Sequence, residues 1–192
     1  MNPTVDEIAD ALLRKEPRSG RTRIVAVDGQ SGAGKTTFAD RLAEAIRGRR
    51  TTVTVVHTDD LLDGWDDQFT FWDRLMDQVV NPLRYGLDAA YRRYDWVKER
   101  FDGDLTPVPG ADVVIIEGVS AAREDMRRFA DLTVFLTVTE EEAWRRLRAR
   151  DPEEAMPFLV TWKAREGRHF ALDRTAEQAD FVIDDGASAT VG

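Results

Sequence analysis

Apolar residues fall into two kinds of run along this chain, and their spacing predicts most of the elements. Unbroken aliphatic and β-branched stretches occur at Arg23-Ile24-Val25-Ala26-Val27, Thr52-Val53-Thr54-Val55-Val56, Asp112-Val113-Val114-Ile115-Ile116 and Leu132-Thr133-Val134-Phe135-Leu136-Thr137-Val138. A shorter one, Phe181-Val182-Ile183-Asp184, lies near the end. Runs of this length without polar alternation suit parallel strands buried on both faces. Helical spacing fills the intervals. Val5, Ile8, Ala9, Leu12 and Leu13 predict a helix over about 5–14, opened by the capping-box pattern Thr4-Val5-Asp6-Glu7. A second helix runs from Thr37 to Ile46 and ends near Gly48, and a third is expected from about Thr70 to Val80, with Pro82 near its end. Thr139-Glu140-Glu141-Glu142 is another capping box, opening a helix that Asp151-Pro152 interrupts, and a further helix is expected over about 153–170. Pro17-Arg18-Ser19-Gly20 and Thr106-Pro107-Val108-Pro109-Gly110 read as turns. The acidic, aromatic stretch from Leu61 to Phe71 and the stretch from Leu87 to Phe101, with Tyr91, Tyr94 and Trp96 among charges, receive no strand. Residues 186–192 are small and polar and are expected to fray.

Strands alternating with helices predict an α/β protein with a mostly parallel five-stranded sheet and helices on both faces. The chain, 192 residues long, reads as one domain over 1–192 with a small helical lid over about 145–165.

The chemistry collects around Gly29-Gln30-Ser31-Gly32-Ala33-Gly34-Lys35-Thr36, which fits the phosphate-binding P-loop pattern G-x-x-x-x-G-K-[ST]. Its context fits too, since a predicted strand precedes it and a predicted helix follows. Glycines let the backbone wrap an anion without Cβ clashes, and successive N–H groups with the helix N-terminus supply positive partial charge. The pattern therefore assigns ATP binding to Gly29, Ser31, Gly32, Ala33, Gly34, Lys35, Thr36 and Thr37. Lys35 would reach the β- and γ-phosphates as a catalytic cation, and the Thr36 hydroxyl would ligate Mg²⁺.

Composition narrows the partners. Lys and Arg total 27 against 36 Asp and Glu, giving a net charge of −9, which argues against nucleic acid. The chain has no cysteine, so neither a disulfide framework nor a thiolate site is expected. The acidic start, Met1-Asn2-Pro3-Thr4-Val5-Asp6-Glu7, is not signal-like, and no apolar run approaches a membrane span. A soluble, cytoplasmic protein is expected, with a homodimer compatible with the sequence.

Phosphoryl transfer needs a phosphate cradle, a metal, a group that orients the nucleophile and positive charge on the moving group. Asp59 and Asp60 follow the second strand, which the common strand order would place beside the P-loop strand. Either could accept a hydroxyl proton or bind Mg²⁺ through water. Glu117 ends the run Val113–Ile116, where an acid that holds Mg²⁺ sits. Arg145, Arg146, Arg148 and Arg150 cannot all share one helix face; one is expected over the γ-phosphate, with Arg148 the candidate. Tyr91, Tyr94, Trp96, Trp65 and Trp72 could line an acceptor pocket, with Tyr94 and Trp96, joined by Asp60, the leading candidates, whereas Asp28 reads as a strand-end residue orienting the loop. His57 and His169 match no metal spacing and read as structural. A regulatory nucleotide-binding module without transfer chemistry is the alternative, and a GTPase switch is disfavoured because no Asn-Lys-x-Asp motif is present.

Over roughly residues 22–185 the chain resembles the uridine kinase branch of P-loop kinases, which includes phosphoribulokinase and pantothenate kinase. The resemblance rests on Val25 through Thr37, His57-Thr58-Asp59-Asp60, Tyr94-Asp95-Trp96, Ile115-Ile116-Glu117-Gly118, the segment from Arg145 to Asp151, and Arg174 through Ile183. It implies ATP and Mg²⁺ as co-substrate and cofactor, a small-molecule hydroxyl as acceptor, and Asp59 as catalytic base. The departures fall on the acceptor side. Glu99 stands where uridine kinases carry a base-contacting histidine, Asp67-Gln68-Phe69-Thr70-Phe71-Trp72 replaces a histidine–proline–aspartate segment, and no Arg-Gly-Arg continuation follows Asp151.

Overall fold

The computed structural model describes residues 2–18 and 20–184; the expectation for 186–192, and Ser19 within the first predicted turn, lie outside them. Five strands, β1 (Arg23–Gly29), β2 (Val53–His57), β5 (Val113–Glu117), β6 (Leu132–Thr137) and β7 (Phe181–Asp184), form one sheet in the order β2-β5-β1-β6-β7. Every pairing in it is parallel. One expectation is corrected here: β2 does not adjoin β1, because β5 lies between them. The register puts Val27, Glu117 and His57 in one row across β1, β5 and β2.

Alternate residues of β1 feed two cores, as a sheet covered on both faces requires. Ile24 and Ala26 join Val56, Val114, Ile116, Leu75 and Val79 on one face. Val25 and Val27 join Val113, Ile115, Val134 and Leu136 on the other, beneath α1 (Val5–Leu13) and α2 (Lys35–Arg47). The capping box of α1 is present: the Thr4 hydroxyl accepts from the Glu7 N–H while the Glu7 carboxylate accepts from the Thr4 N–H at 2.8 Å.

The third helix is longer than expected. It comprises α3 (Trp72–Leu75), a π-helical segment (Met76–Val80) and α4 (Asn81–Arg84), so Pro82 lies inside it. Proline has no N–H to continue the α-helical ladder, and a widened turn just before it accommodates that gap. The stretch before it is held by Asp67, which accepts from the Asp63 N–H at 2.8 Å and from Arg74 at 2.7 Å.

Residues left without a strand form an antiparallel hairpin, β3 (Ala89–Asp95) with β4 (Arg100–Val108). A register shift between Arg92 and Tyr94 breaks the two-residue alternation, so that Tyr91 and Tyr94 are both buried with Arg92 and Arg93 exposed between them. The predicted turn at 106–110 is likewise corrected, since Pro107 pairs with Ala90 inside β4. After the short α5 (Glu124–Arg127) and β6, α6 (Glu140–Arg150) opens with the Thr139 hydroxyl accepting from the Glu142 N–H. The reciprocal half of that capping box is not formed: the Glu142 carboxylate binds Arg145 and Arg146 instead. A short 3₁₀ turn (Glu153–Ala155) leads into α7 (Met156–Asp173), and α8 (Thr175–Gln178) follows. No helix among the described residues is long and apolar enough to cross a membrane.

Gly118, just past β5, approaches the 3₁₀ turn Thr58–Leu61 so closely that a Cβ built on it would lie 1.8 Å from the Thr58 Oγ1, and its φ of +147° is itself disfavoured with a side chain. This contact sets Glu117 beside Asp59. Gly118→Ala is expected to lower unfolding stability by about 2–4 kcal/mol, read from urea denaturation, and a loss below about 0.5 kcal/mol would contradict the packing.

Candidate active site

The phosphate loop joins β1 to α2, and close packing shapes it. A Cβ on Gly29 would lie 2.2 Å from the Leu136 carbonyl oxygen, and one on Gly32 would lie 2.7 Å from that of Ala143 in α6. Beneath the loop the fully buried Asp28 carboxylate accepts N–H groups from Gly29 at 2.7 Å and from Ser120 and Ala122 at 2.9 Å. Burial pushes its pKa up to about 7 against these hydrogen bonds and the Lys35 charge. Lys35 curls over the loop, its Nζ donating to the carbonyls of Gly29 at 3.0 Å and Gln30 at 3.1 Å.

At the end of β5 the buried Glu117 carboxylate accepts from the Thr36 hydroxyl at 3.1 Å, and the same oxygen lies 2.6 Å from His57 Nδ1. That hydrogen bond raises the His57 pKa. Asp59 keeps its surface open to the cleft, although protein surrounds it. This enclosure raises the Asp59 pKa, the Glu117 charge adds to the rise, and Lys35 and Arg150 oppose it. Thr36, Glu117 and Asp59 thus bring a hydroxyl and carboxylates together beside the loop. Such a set fits Mg²⁺, which takes one or two carboxylates and completes its shell with water and phosphate oxygens. Among the described residues no group of three or more His, Cys, Asp and Glu could hold a metal by itself.

Lys35, Thr36, Asp59 and Glu117 line a cavity of about 570 Å³. Six of the eight predicted ATP-binding residues (Ser31, Gly32, Gly34, Lys35, Thr36 and Thr37) reach it; Gly29 and the wholly buried Ala33 do not. Of the leading acceptor candidates, Tyr94, Trp96 and Asp60, only Trp96 lines it, its indole N–H donating to the Asp59 carbonyl at 3.2 Å. Tyr94 is buried behind Trp96, ring centroids 5.2 Å apart, and Asp60 is engaged by the Tyr91 hydroxyl at 2.8 Å and Arg93 at 3.0 Å. Arg148 does not line the cavity either: its guanidinium sits over the Trp144 ring, 5.6 Å from the centroid, whereas Arg146 and Arg150 face inward.

Other residues of the site carried no prediction of function. His57 sits on Glu117, and α7 contributes Trp162 to the cavity wall and Lys163 and Glu166 behind the loop. Trp65, one of the aromatics proposed for the acceptor pocket, does line the cavity, its ring centroid 5.3 Å from that of Trp96 and 5.8 Å from that of Trp162. The available signal was the spacing of 159, 162, 163 and 166, one face of a helix. His169 is half-buried against Phe69, ring centroids 4.7 Å apart, and lines no part of this cavity.

A family model described as an AAA domain matches residues 25–168, and the chain belongs to that family. The uridine kinase of Staphylococcus carnosus (strain TM300) is 22% identical over 188 residues, 88% of this chain and 90% of that protein. The inorganic pyrophosphatase TTM1 of Arabidopsis thaliana is 30% identical over 123 residues, 59% of this chain, and the chain spans only 18% of that protein's length. Among solved structures, a possible uridine kinase from Bacillus stearothermophilus superposes with a TM-score of 0.71 at 23% identity, covering 94% of this chain and 97% of that one, which is a likeness of fold. In sequence and in fold the chain is thus similar to uridine kinases.

Lys35→Ala is expected to weaken Mg-ADP binding at least about tenfold by calorimetry, since it removes the ammonium that lies on the phosphate loop. Unchanged affinity would show that the loop does not carry the phosphates.

Proposed function

We propose that this chain transfers the γ-phosphate of ATP, with Mg²⁺, to a hydroxyl of a small nucleoside-like molecule. The observation that carries the reading is the meeting of Asp59, Glu117, Lys35 and Thr36 around one cavity: an acid that can take a proton, a metal-binding pair and a cation, all beside the phosphate loop.

In this reading the triphosphate lies on the N–H groups of the loop at the start of α2. Lys35 leaves its carbonyl partners for the β- and γ-phosphate oxygens and stabilises the charge there. Thr36 and Glu117 would hold Mg²⁺, with Asp59 behind a water; bound there, it would offset phosphate charge. The acceptor hydroxyl faces Asp59, which takes its proton as the oxygen bonds to the γ-phosphorus and the bond to ADP breaks. Arg150 replaces Arg148 as the arginine that closes on the moving group, because it lines the cavity and its charge acts on both Asp59 and Glu117. Trp65, Trp96 and Trp162 offer flat apolar surface to the body of the acceptor. Glu99 lies in the hairpin at a φ of +50° and does not line the cavity, so a base would find no ring-nitrogen partner there.

The test is ADP release from Mg-ATP with a panel of uridine, cytidine, other nucleosides, pantothenate and simple sugars. One of these is expected to stimulate release, and Asp59→Asn to lower the stimulated turnover by about 10²–10⁴-fold while Mg-ADP still binds. Wild-type turnover in Asp59→Asn would remove Asp59 from the base role. Nucleotide binding with no stimulated release by any acceptor would favour a regulatory module.

Two further outcomes follow from the geometry. The base must be ionised, and its pKa is raised from 3.8, so turnover falls as pH drops through a value above 3.8. That acid limb should be absent from the residual activity of Asp59→Asn. Arg150→Ala is expected to lower turnover at least about tenfold and Arg148→Ala less than about twofold, and the reverse ranking would restore Arg148.

A further inference from the structure

Glu166 and Lys163 face each other on α7 at 3.2 Å, with side chains 2% and 7% exposed. A carboxylate so buried is costly unless charge and hydrogen bonds satisfy it. Beyond Lys163, its partners are on the phosphate loop. Both Glu166 oxygens lie 3.1 Å from the Ser31 backbone N, and the Ser31 hydroxyl donates to one of them at 2.7 Å. The Trp162 indole N–H in turn donates to the Ser31 oxygen at 3.1 Å. Lys163 also approaches Glu140 of α6 at 3.6 Å. So one N–H of the phosphate loop is held by an anion of the chain itself, and that anion belongs to the helix whose Leu159 and Trp162 line the cavity.

We propose that Glu166 is a positioning residue that joins the phosphate loop to the tryptophan wall, so that a nucleotide seated on the loop fixes α7 and, with it, the surface offered to the acceptor. The inference rests on the loop being the nucleotide site. The bonds to Ser31 are charge-assisted, and the pair is enclosed, so their loss frees the helix from the loop. Trp162 stands on the same face of α7 as Glu166, one turn earlier, so a movement of the loop reaches the cavity wall directly.

Hydrogen exchange along residues 159–170 of the full chain, with Mg-ADP as probe, tests this. In the wild type Mg-ADP is expected to slow exchange there at least about tenfold. Without nucleotide, Glu166→Ala should exchange at least about tenfold faster than the wild type, and Mg-ADP, bound as judged by calorimetry, should slow it less than about twofold. Glu166→Gln keeps a carbonyl acceptor for Ser31 and should recover part of the nucleotide-dependent slowing, which a general loss of stability would not. Full slowing in Glu166→Ala, no slowing in the wild type that binds Mg-ADP, or no recovery in Glu166→Gln would each overturn the proposal. If Glu166→Ala does not fold, Trp162→Phe, which deletes only the indole bond to Ser31, should lose part of the slowing; full slowing there overturns it. If Mg-ADP does not bind the wild type, the nucleotide reading fails separately, and the nucleotide-free comparison decides: faster exchange in Glu166→Ala supports the joint, and equal exchange overturns it.

Discussion

A carboxylate shut away from solvent lies under the phosphate loop and ties it to the neighbouring strand. Asp28 collects N–H groups from Gly29 on one side and from Ser120 and Ala122, just beyond β5, on the other. Unmet, a buried carboxylate would be among the most expensive groups in the chain; met by three backbone donors, it fixes where two loops stand relative to each other. Because β5 lies beside β1, that tie also places Glu117 opposite Thr36. The contact of Gly118 with Thr58 then carries the arrangement across to β2 and Asp59. Three strand ends are thus brought to one edge of a parallel sheet, the edge where open α/β sheets take their ligands.

The acidic chain concentrates its useful cations. The net charge is −9, yet Lys35, Arg146 and Arg150 all face the cavity. Asp59 and Glu117 stand opposite them, and their mutual repulsion in an enclosed site is part of what raises the Asp59 pKa. A basic triphosphate cradle beside an acid with raised proton affinity is what transfer to a hydroxyl requires. The family membership and the uridine kinase-like fold agree with the cradle. Three tryptophans, Trp65, Trp96 and Trp162, wall the same cavity.

What could be read from the sequence followed the strength of local periodicity. The sheet strands are unbroken apolar runs, and the loop is a contiguous motif, so both were legible. The hairpin was not, because its bulge places Tyr91 and Tyr94 three positions apart and spoils the alternation that marks a strand. Strand order was invisible as well: nothing local in β2 says that β5 rather than β1 will be its neighbour. In α6 the helical period separates Arg148 from Arg146 and Arg150, which are four residues apart and share a face, so which arginines line the cavity is legible only once it is known which face looks inward. Ser31 and Glu166 meet across 135 residues, a distance over which no spacing rule operates.

The most direct measurement follows the label. With ATP labelled in its γ-phosphate and the acceptor that best stimulates ADP release, the account predicts one label on an organic phosphate ester for each ADP formed. Label recovered only as inorganic phosphate would contradict it, because the cavity would then be directing water, and not a hydroxyl held against the tryptophan wall, to the γ-phosphorus.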